Sequence, residues 1–306
     1  MFKYSRKNVL TISNENNFLT NATEKVLRLS QILNYINESS LNDCLALKGG
    51  TAINLFLLNL VRLSVDIDFD FSKNLAKEEL LPVREMIKEK LINFMLQEGY
   101  DLSEKSKFVH SLDSFVFKYQ TTSGSYDMLK IEINYSNRVH ALDLLKEKTE
   151  IKLGEVVEVN RLANNELIGS KLNALIARTT PRDIYDFYNL IEVNNYDIVL
   201  VKKIAIFYLL IGSDLPLNFS VKFNECIKKI ESINFNVIKR TLIPVLKKNE
   251  KINLDDLKKK LSETLKKLFI LKDNEKKFID NFNVGIFDQN YYLKIILLTI
   301  CQSILW

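Results

Sequence analysis

Asp66, Asp68 and Asp70 alternate with Ile67, Phe69 and Phe71 in the stretch Ser64-Val65-Asp66-Ile67-Asp68-Phe69-Asp70-Phe71. Alternation with a period of two predicts a strand, with the three carboxylates on one face and the apolar residues on the other. Two full charges about 4 Å apart repel by roughly 4 kcal/mol at an effective dielectric of about 20. A fold keeps such a row when a cation neutralises it, and oxygen-only ligands suit Mg²⁺ or Mn²⁺. The other reading is a solvated edge strand turned to water, and an Asp-x-Asp pattern alone leaves both open.

The segment that must position this row lies just upstream. Cys44 to Leu47 is a short apolar strand, Lys48-Gly49-Gly50-Thr51 a tight turn, and Ala52 to Val61 an apolar run read as a helix. Strand, glycine turn and helix N-terminus together make an anion site, because glycine permits close backbone approach and the first free N–H groups point at a phosphate. The bland alternative is an ordinary turn with Thr51 as helix N-cap.

A second charged region runs from Glu166 to Leu190. Its first helix turns Leu167, Ile168, Leu172, Leu175 and Ile176 inward, and Lys171 and Arg178 share a face. Thr180-Pro181 starts a new helix, with Thr as N-cap, Pro at the first position and Asp183 in the first turn. Asp183 thus has a purely local explanation, and Asp186 has one as an i, i+4 partner of Arg182. Five charges (Lys171, Arg178, Arg182, Asp183, Asp186) about one helix junction exceed what two surface helices need.

Elsewhere the periodicity predicts an amphipathic helix over Asn14 to Ser39, with Thr23 and the intervening acids facing water, and another over Lys77 to Glu98. Lys107 to Gln120 and Met128 to Tyr135 read as strands joined at Ser123-Gly124-Ser125, and Ile151 to Val159 as one more. In the second of these Lys130, Glu132 and Asn134 share a face. Glu132 is therefore either a third carboxylate of the acidic row or an exposed residue paired with Lys130. Beyond Val201 only helices are expected, the last from Tyr291 to Trp306, and the apolar tail Ile295 to Trp306 is too short to span a bilayer.

The 306 residues are 47% hydrophobic and 26% charged, as in a globular protein with a substantial core. Three scattered cysteines, two histidines and no signal peptide exclude a disulfide scaffold, argue against a zinc site and fit the cytoplasm. Charge is uneven: residues 1–200 hold 24 Lys and Arg against 27 Asp and Glu, a net of −3, whereas residues 201–306 hold 19 against 11, a net of +8. An acidic half and a basic helical half suit a polyanionic substrate, and equally a lysine-rich solvated surface.

Lys48-Gly49-Gly50-Thr51, then Arg62-x-Ser64-x-Asp66-x-Asp68-Phe69, then Glu166 to Lys171, Arg178 and Arg182-Asp183-x-Tyr185-Asp186 resemble the AbiEii/MenT-type nucleotidyltransferase toxins. These are a branch of the DNA polymerase β-like nucleotidyltransferase fold, and the resemblance covers about residues 40–195. It implies an α+β protein: a mixed sheet flanked by helices over 1–160, helices completing the active site over 161–200, and a basic helical domain over 201–306. It implies metal-dependent transfer of a nucleoside monophosphate from an NTP, with release of pyrophosphate, to an acceptor such as the 3′ end of tRNA. It also implies a toxin role beside an antitoxin in phage defence. Asp66 and Asp68 would hold Mg²⁺ or Mn²⁺, with Glu132, Asp183 or Asp186 as a third acid and Asp70 behind them. Lys48, Gly49, Gly50, Thr51, Arg62, Ser64, Arg178 and Arg182 would lie about the nucleotide, and Lys171 would neutralise the leaving pyrophosphate. The competing readings are nucleotidylation of a protein or small molecule, and a non-enzymatic RNA-binding protein on a dead fold.

Overall fold

A computed structural model describes residues 2–193 and 196–286. The expected helix at 291–306 and Cys301 lie outside these residues. The chain forms two compact units, one running to Leu162 and including Val245–Lys248, the other comprising Ala163–Pro244 and continuing from Asn249. Of residues 161–200, expected as a separate set of helices, 161 and 162 fall in the first unit and the rest in the second.

The first unit contains the helices α1 (Arg6–Glu15) and α2 (Thr20–Glu38), strand β1 (Leu45–Lys48), the short helix α3 (Gly49–Ala52), strand β2 (Asp66–Phe71) and helix α4 (Lys77–Gln97). Strands β3 (Asp101–Leu102), β4 (Lys107–Val109), β5 (Leu112–Gln120), β6 (Tyr126–Asn134), β7 (Leu145–Glu150) and β8 (Val156–Arg161) complete it. The strands form one mixed sheet in the order β3-β5-β6-β2-β1-β8-β7, with β4 also paired to β5. β2 lies centrally, antiparallel to β1 and parallel to β6. Its apolar residues Ile67, Phe69 and Phe71 are fully buried, as the alternation requires. An α+β core built on a mixed sheet is thus present as expected.

Several local expectations are corrected. The helix over 14–39 is two helices, broken where Asn17 takes a left-handed φ of 61°. Thr23 and Glu24, expected to face water, are buried. Glu24 accepts from Arg28 at 2.7 Å and from the Thr122 backbone and hydroxyl, so the sheet side of α2 carries a satisfied ion pair. The strand over 107–120 folds back at His110-Ser111, pairing Val109 with Leu112. The strand over 151–159 contains a turn instead, where Gly154 takes φ 79° and β7 joins β8. The apolar run after Thr51 is no regular helix: α3 passes into a π-helical turn over Ile53–Leu57, then into Asn59 and Leu60, both left-handed.

The second unit is helical throughout its described residues: α5 (Asn164–Arg178), α6 (Pro181–Leu190), α7 (Ile198–Ile211), α8 (Phe219–Ser232), α9 (Phe235–Thr241), α10 (Leu254–Leu268) and α11 (Asp273–Asn283). The apolar α7 packs on α5 at Gly169, where a Cβ would stand 2.7 Å from Ile204 Cγ2, so only glycine lets these helices approach so closely. Among the described residues no helix is long and apolar enough to cross a membrane.

Candidate active site

The glycine turn and the acidic strand are built against each other. β1 ends at Lys48, and Gly49, with φ 71°, reverses the chain into α3. A Cβ on Gly49 would fall 2.5 Å from Asp68 Oδ2, so glycine is required both by the backbone angle and by the approach of this carboxylate. A Cβ on Gly50 would fall 2.9 Å from Arg62 Nη2 and 3.1 Å from Ser64 Oγ. Arg62, Ser64 and Asp68 therefore converge on the two glycines.

Thr51 departs from expectation. It is buried, and its hydroxyl donates to the Asp66 carbonyl instead of capping a helix or lying open to a ligand. It thereby ties α3 to the start of β2. The N-cap position belongs to Lys48.

Register fixes the rest of the strand face. Lys48 lies opposite Asp68 on β1, while Lys130, Glu132 and Asn134 of β6 lie opposite Asp66, Asp68 and Asp70. Opposed residues share a sheet face, so Asp66, Asp68 and Glu132 are neighbours, all half-buried. Asp70 is buried and forms an ion pair with the Lys48 ammonium. Glu132 holds the Lys130 ammonium at 2.7 Å, and both of the alternatives drawn for it from the sequence meet in one residue. Burial pushes the Asp68 carboxyl above its ordinary range; Lys48 opposes the shift, and Glu132 and Asp66 reinforce it.

No group of three or more His, Cys, Asp or Glu among the described residues is arranged as a metal cage. The donor set nevertheless fits Mg²⁺ or Mn²⁺. Such ions bind through one or two carboxylates and complete their shell with water and substrate phosphate. Asp66 and Asp68 supply two carboxylates on one face of β2, with Glu132 opposite Asp68 on the neighbouring strand.

The Glu166–Leu190 region forms a cluster within the second unit. α5 ends at Arg178, Thr179 takes a left-handed φ of 54°, and Thr180 caps α6 with Pro181 at its first position. This junction turns Asp183 back onto α5. Its carboxylate accepts two hydrogen bonds from Arg178, at 2.7 and 2.9 Å, one from Lys171 at 3.0 Å and one from the Thr180 hydroxyl at 2.6 Å. Asp186, fully buried, pairs with Lys171 at 2.8 Å. Burial alone would raise the Asp183 pKa. The Arg178 hydrogen bonds, the Lys171 and Arg178 charges and the Thr180 hydroxyl overcome it and hold the carboxyl well below the carboxylate range. Arg182 donates to the Thr241 carbonyl at 3.1 Å. Sequence reasoning missed Glu166 as a buried partner, which accepts from the Tyr208 hydroxyl; its only signal was an acid at the inward side of α5.

Residues 31–281 match the family described as "Nucleotidyl transferase AbiEii toxin, Type IV TA system". The chain belongs to the AbiEii nucleotidyltransferase toxin family. An AbiEii-family chain is a nucleotidyltransferase, the toxin component of a type IV toxin–antitoxin system. Among solved structures it is similar to MenT4, nucleotidyltransferase toxin Rv2826c from Mycobacterium tuberculosis H37Rv. The TM-score is 0.68 at 13% identity, over 99% of this chain and 98% of that one, a likeness of fold. No curated protein matches this AbiEii-family sequence.

Proposed function

We propose that this AbiEii-family toxin transfers a nucleoside monophosphate from an NTP to an acceptor hydroxyl on RNA, with the acidic strand as the reacting centre. The observation that carries the reading is the convergence of Asp68, Arg62 and Ser64 on the Gly49-Gly50 turn. The acceptor hydroxyl gives up its proton to water as its oxygen forms a bond to the α-phosphorus, the bond between that phosphorus and the bridging oxygen breaks, and pyrophosphate leaves. Such a displacement depends on positioning and charge neutralisation more than on covalent chemistry.

Asp66 and Asp68 would hold Mg²⁺ or Mn²⁺, which supplies charge neutralisation at the phosphates and lowers the pKa of the attacking hydroxyl. The glycine backbone leaves room for phosphate oxygens, and Arg62, Ser64 and Lys48 bind or orient them. Thr51 acts by fixing the start of β2 to the glycine turn. Lys171 is assigned to the leaving pyrophosphate on the family resemblance, its ammonium set by Asp183 and Asp186. Asp183, with its pKa depressed, is a weak base, so it serves here as an anchor for Lys171 and Arg178. The excess of lysine beyond residue 200 favours an RNA acceptor, such as a tRNA 3′ end, and an enzyme of NTP and RNA works in the cytoplasm.

The test of the acceptor is incubation of the purified chain with each α-³²P NTP, total RNA and total protein. Label in an RNA band supports the reading. Label confined to protein or to small molecules overturns the RNA acceptor, and no label with any nucleotide overturns the transfer.

A further inference from the structure

We infer that the open face of the sheet beside the acidic strand is a platform for a single-stranded RNA segment, on which Tyr126 stacks a base and Lys105, Lys118 and Lys130 meet phosphates. The inference rests on the reading of Asp66 and Asp68 as the reacting centre with RNA as acceptor, and deepens it by giving the acceptor strand a path.

Register lays that path out. Lys130 of β6 lies opposite Asp66, and Glu132 opposite Asp68. On β5, Val116 lies opposite Lys130, Lys118 opposite Met128 and Gln120 opposite Tyr126. At the edge, Asp101 of β3 lies opposite Lys118. Opposed residues share a sheet face, so one surface runs from Asp66 through Lys130 and Met128 to Tyr126. The rise of a strand puts Tyr126 about 13 Å beyond Lys130.

The two faces of β5 and β6 differ in kind. Phe115, Phe117, Leu129 and Ile131 point to the other face and are fully buried. There α2 packs on the sheet, its Arg28 guanidinium 4.3 Å from the centre of the Tyr119 ring. On the face shared with Asp66, Val116 and Met128 are half-buried, Lys118 and Gln120 are exposed, and Tyr126 is 64% exposed. The Lys118 ammonium lies over the Tyr126 ring, 4.1 Å from its centre, and steadies it by a cation–π contact. The Lys105 ammonium reaches the same surface, 3.8 Å from Met128 Sδ. The register places Asp101 and Glu132 among these lysines, and Glu132 holds the Lys130 ammonium at 2.7 Å.

An exposed aromatic among lysines on an open sheet matches the two recurring features of a single strand, a bare base face and a row of phosphates. A duplex hides its base faces in the stack. The platform ends at Asp66, so a strand lying along it brings its terminal hydroxyl to the reacting centre.

Tyr126 and Lys118 are exposed, so their substitution spares the fold. The test is fluorescence anisotropy of a fluorescein-labelled single-stranded RNA of about twelve nucleotides, with the full chain and without NTP or metal. Tyr126→Ala should weaken binding about five- to a hundredfold, and Tyr126→Phe by less than about twofold. Lys118→Gln should weaken binding and lower the slope of log affinity against log salt by about 0.7, the value of one phosphate contact on a single strand. Lys148→Gln, on β7 at the opposite edge of the sheet, should change neither. Wild-type affinity in Tyr126→Ala, or an equal loss in Lys148→Gln, would overturn the inference. A blunt duplex of the same sequence should bind without regard to Tyr126, and equal dependence would overturn the single-strand assignment. Asp66→Asn separates the platform from its parent reading: it should bind this RNA at least as tightly as wild type and fail to incorporate nucleotide. Normal incorporation there would remove the reacting centre. Lost incorporation there, with wild-type RNA affinity in Tyr126→Ala, would remove the platform alone.

Discussion

The acidic strand of the first unit and the Lys171 cluster of the second use the same residue types to opposite ends. On the strand face Lys48 pairs with Asp70 and Lys130 with Glu132, Asp66 and Asp68 are half-buried, and burial raises the Asp68 pKa. In the cluster, Lys171 and Arg178 meet Asp183 and Asp186, both acids are fully buried, and the Asp183 pKa is lowered. One region leaves a half-buried carboxylate that burial makes harder to ionise; the other closes its acids on a lysine and an arginine. Excess charge of one sign is what a ligand of the opposite sign relieves, whereas a self-neutralised cluster fixes geometry. On the function proposed above, the chemistry lies on β2 and the acids of α6 position Lys171 and Arg178.

The largest effect expected is on transfer. Asp66→Ala should lower nucleotide incorporation by about a thousandfold, given several kcal/mol of charge stabilisation at the reacting phosphate. Its denaturation midpoint should stay at the wild-type value. Next is Gly49→Ala, which drives a methyl into the Asp68 carboxylate at a left-handed φ. It should reduce incorporation at least tenfold and destabilise by about 1–3 kcal/mol, read by urea unfolding. Full activity there would mean that the turn and Asp68 are not coupled.

Asp183→Asn should act mainly on stability. Removing one partner of a buried pair costs about 3 kcal/mol or more, and here it leaves Lys171 with Asp186 alone. The pH dependence follows from the sign of the shift. The folded pKa lies below the unfolded one, so Asp183 contributes its full stability above the ordinary carboxylate pKa of about 4. That contribution is lost as pH falls from there toward the folded pKa. Unfolding measured from pH 6 down to pH 2 should lose stability less steeply in Asp183→Asn than in wild type. Arg178→Lys is the smallest change: the side chain is 62% exposed, and losing its two-pronged contact should cost within about 1 kcal/mol.

Much of both regions was legible from residue order. The alternation around Asp66 states a strand face outright, and Thr180-Pro181 marks a helix start that the structure reproduces at the same residues. Local rules could not supply partners distant in sequence. The ion pair of Asp186 with Lys171 joins two helices, which a rule of four-residue spacing cannot foresee. Thr51 reads as a cap, but the Asp66 carbonyl fifteen residues on takes its hydroxyl. Glu24 reads as solvated because nothing in α2 reveals that Thr122 will meet it. Breaks were lost where no glycine or proline announces them, as at Asn17 and at His110-Ser111.

The central claim is that β2 holds charge kept for a ligand, not for the fold. It is tested most directly by Asp68→Asn, with transfer from α-³²P NTP to RNA and the free energy of unfolding measured on the same preparation. The account predicts that transfer is lost while stability without metal is unchanged or higher, because a carboxylate repelled by Asp66 and Glu132 is gone. Retained transfer would contradict it.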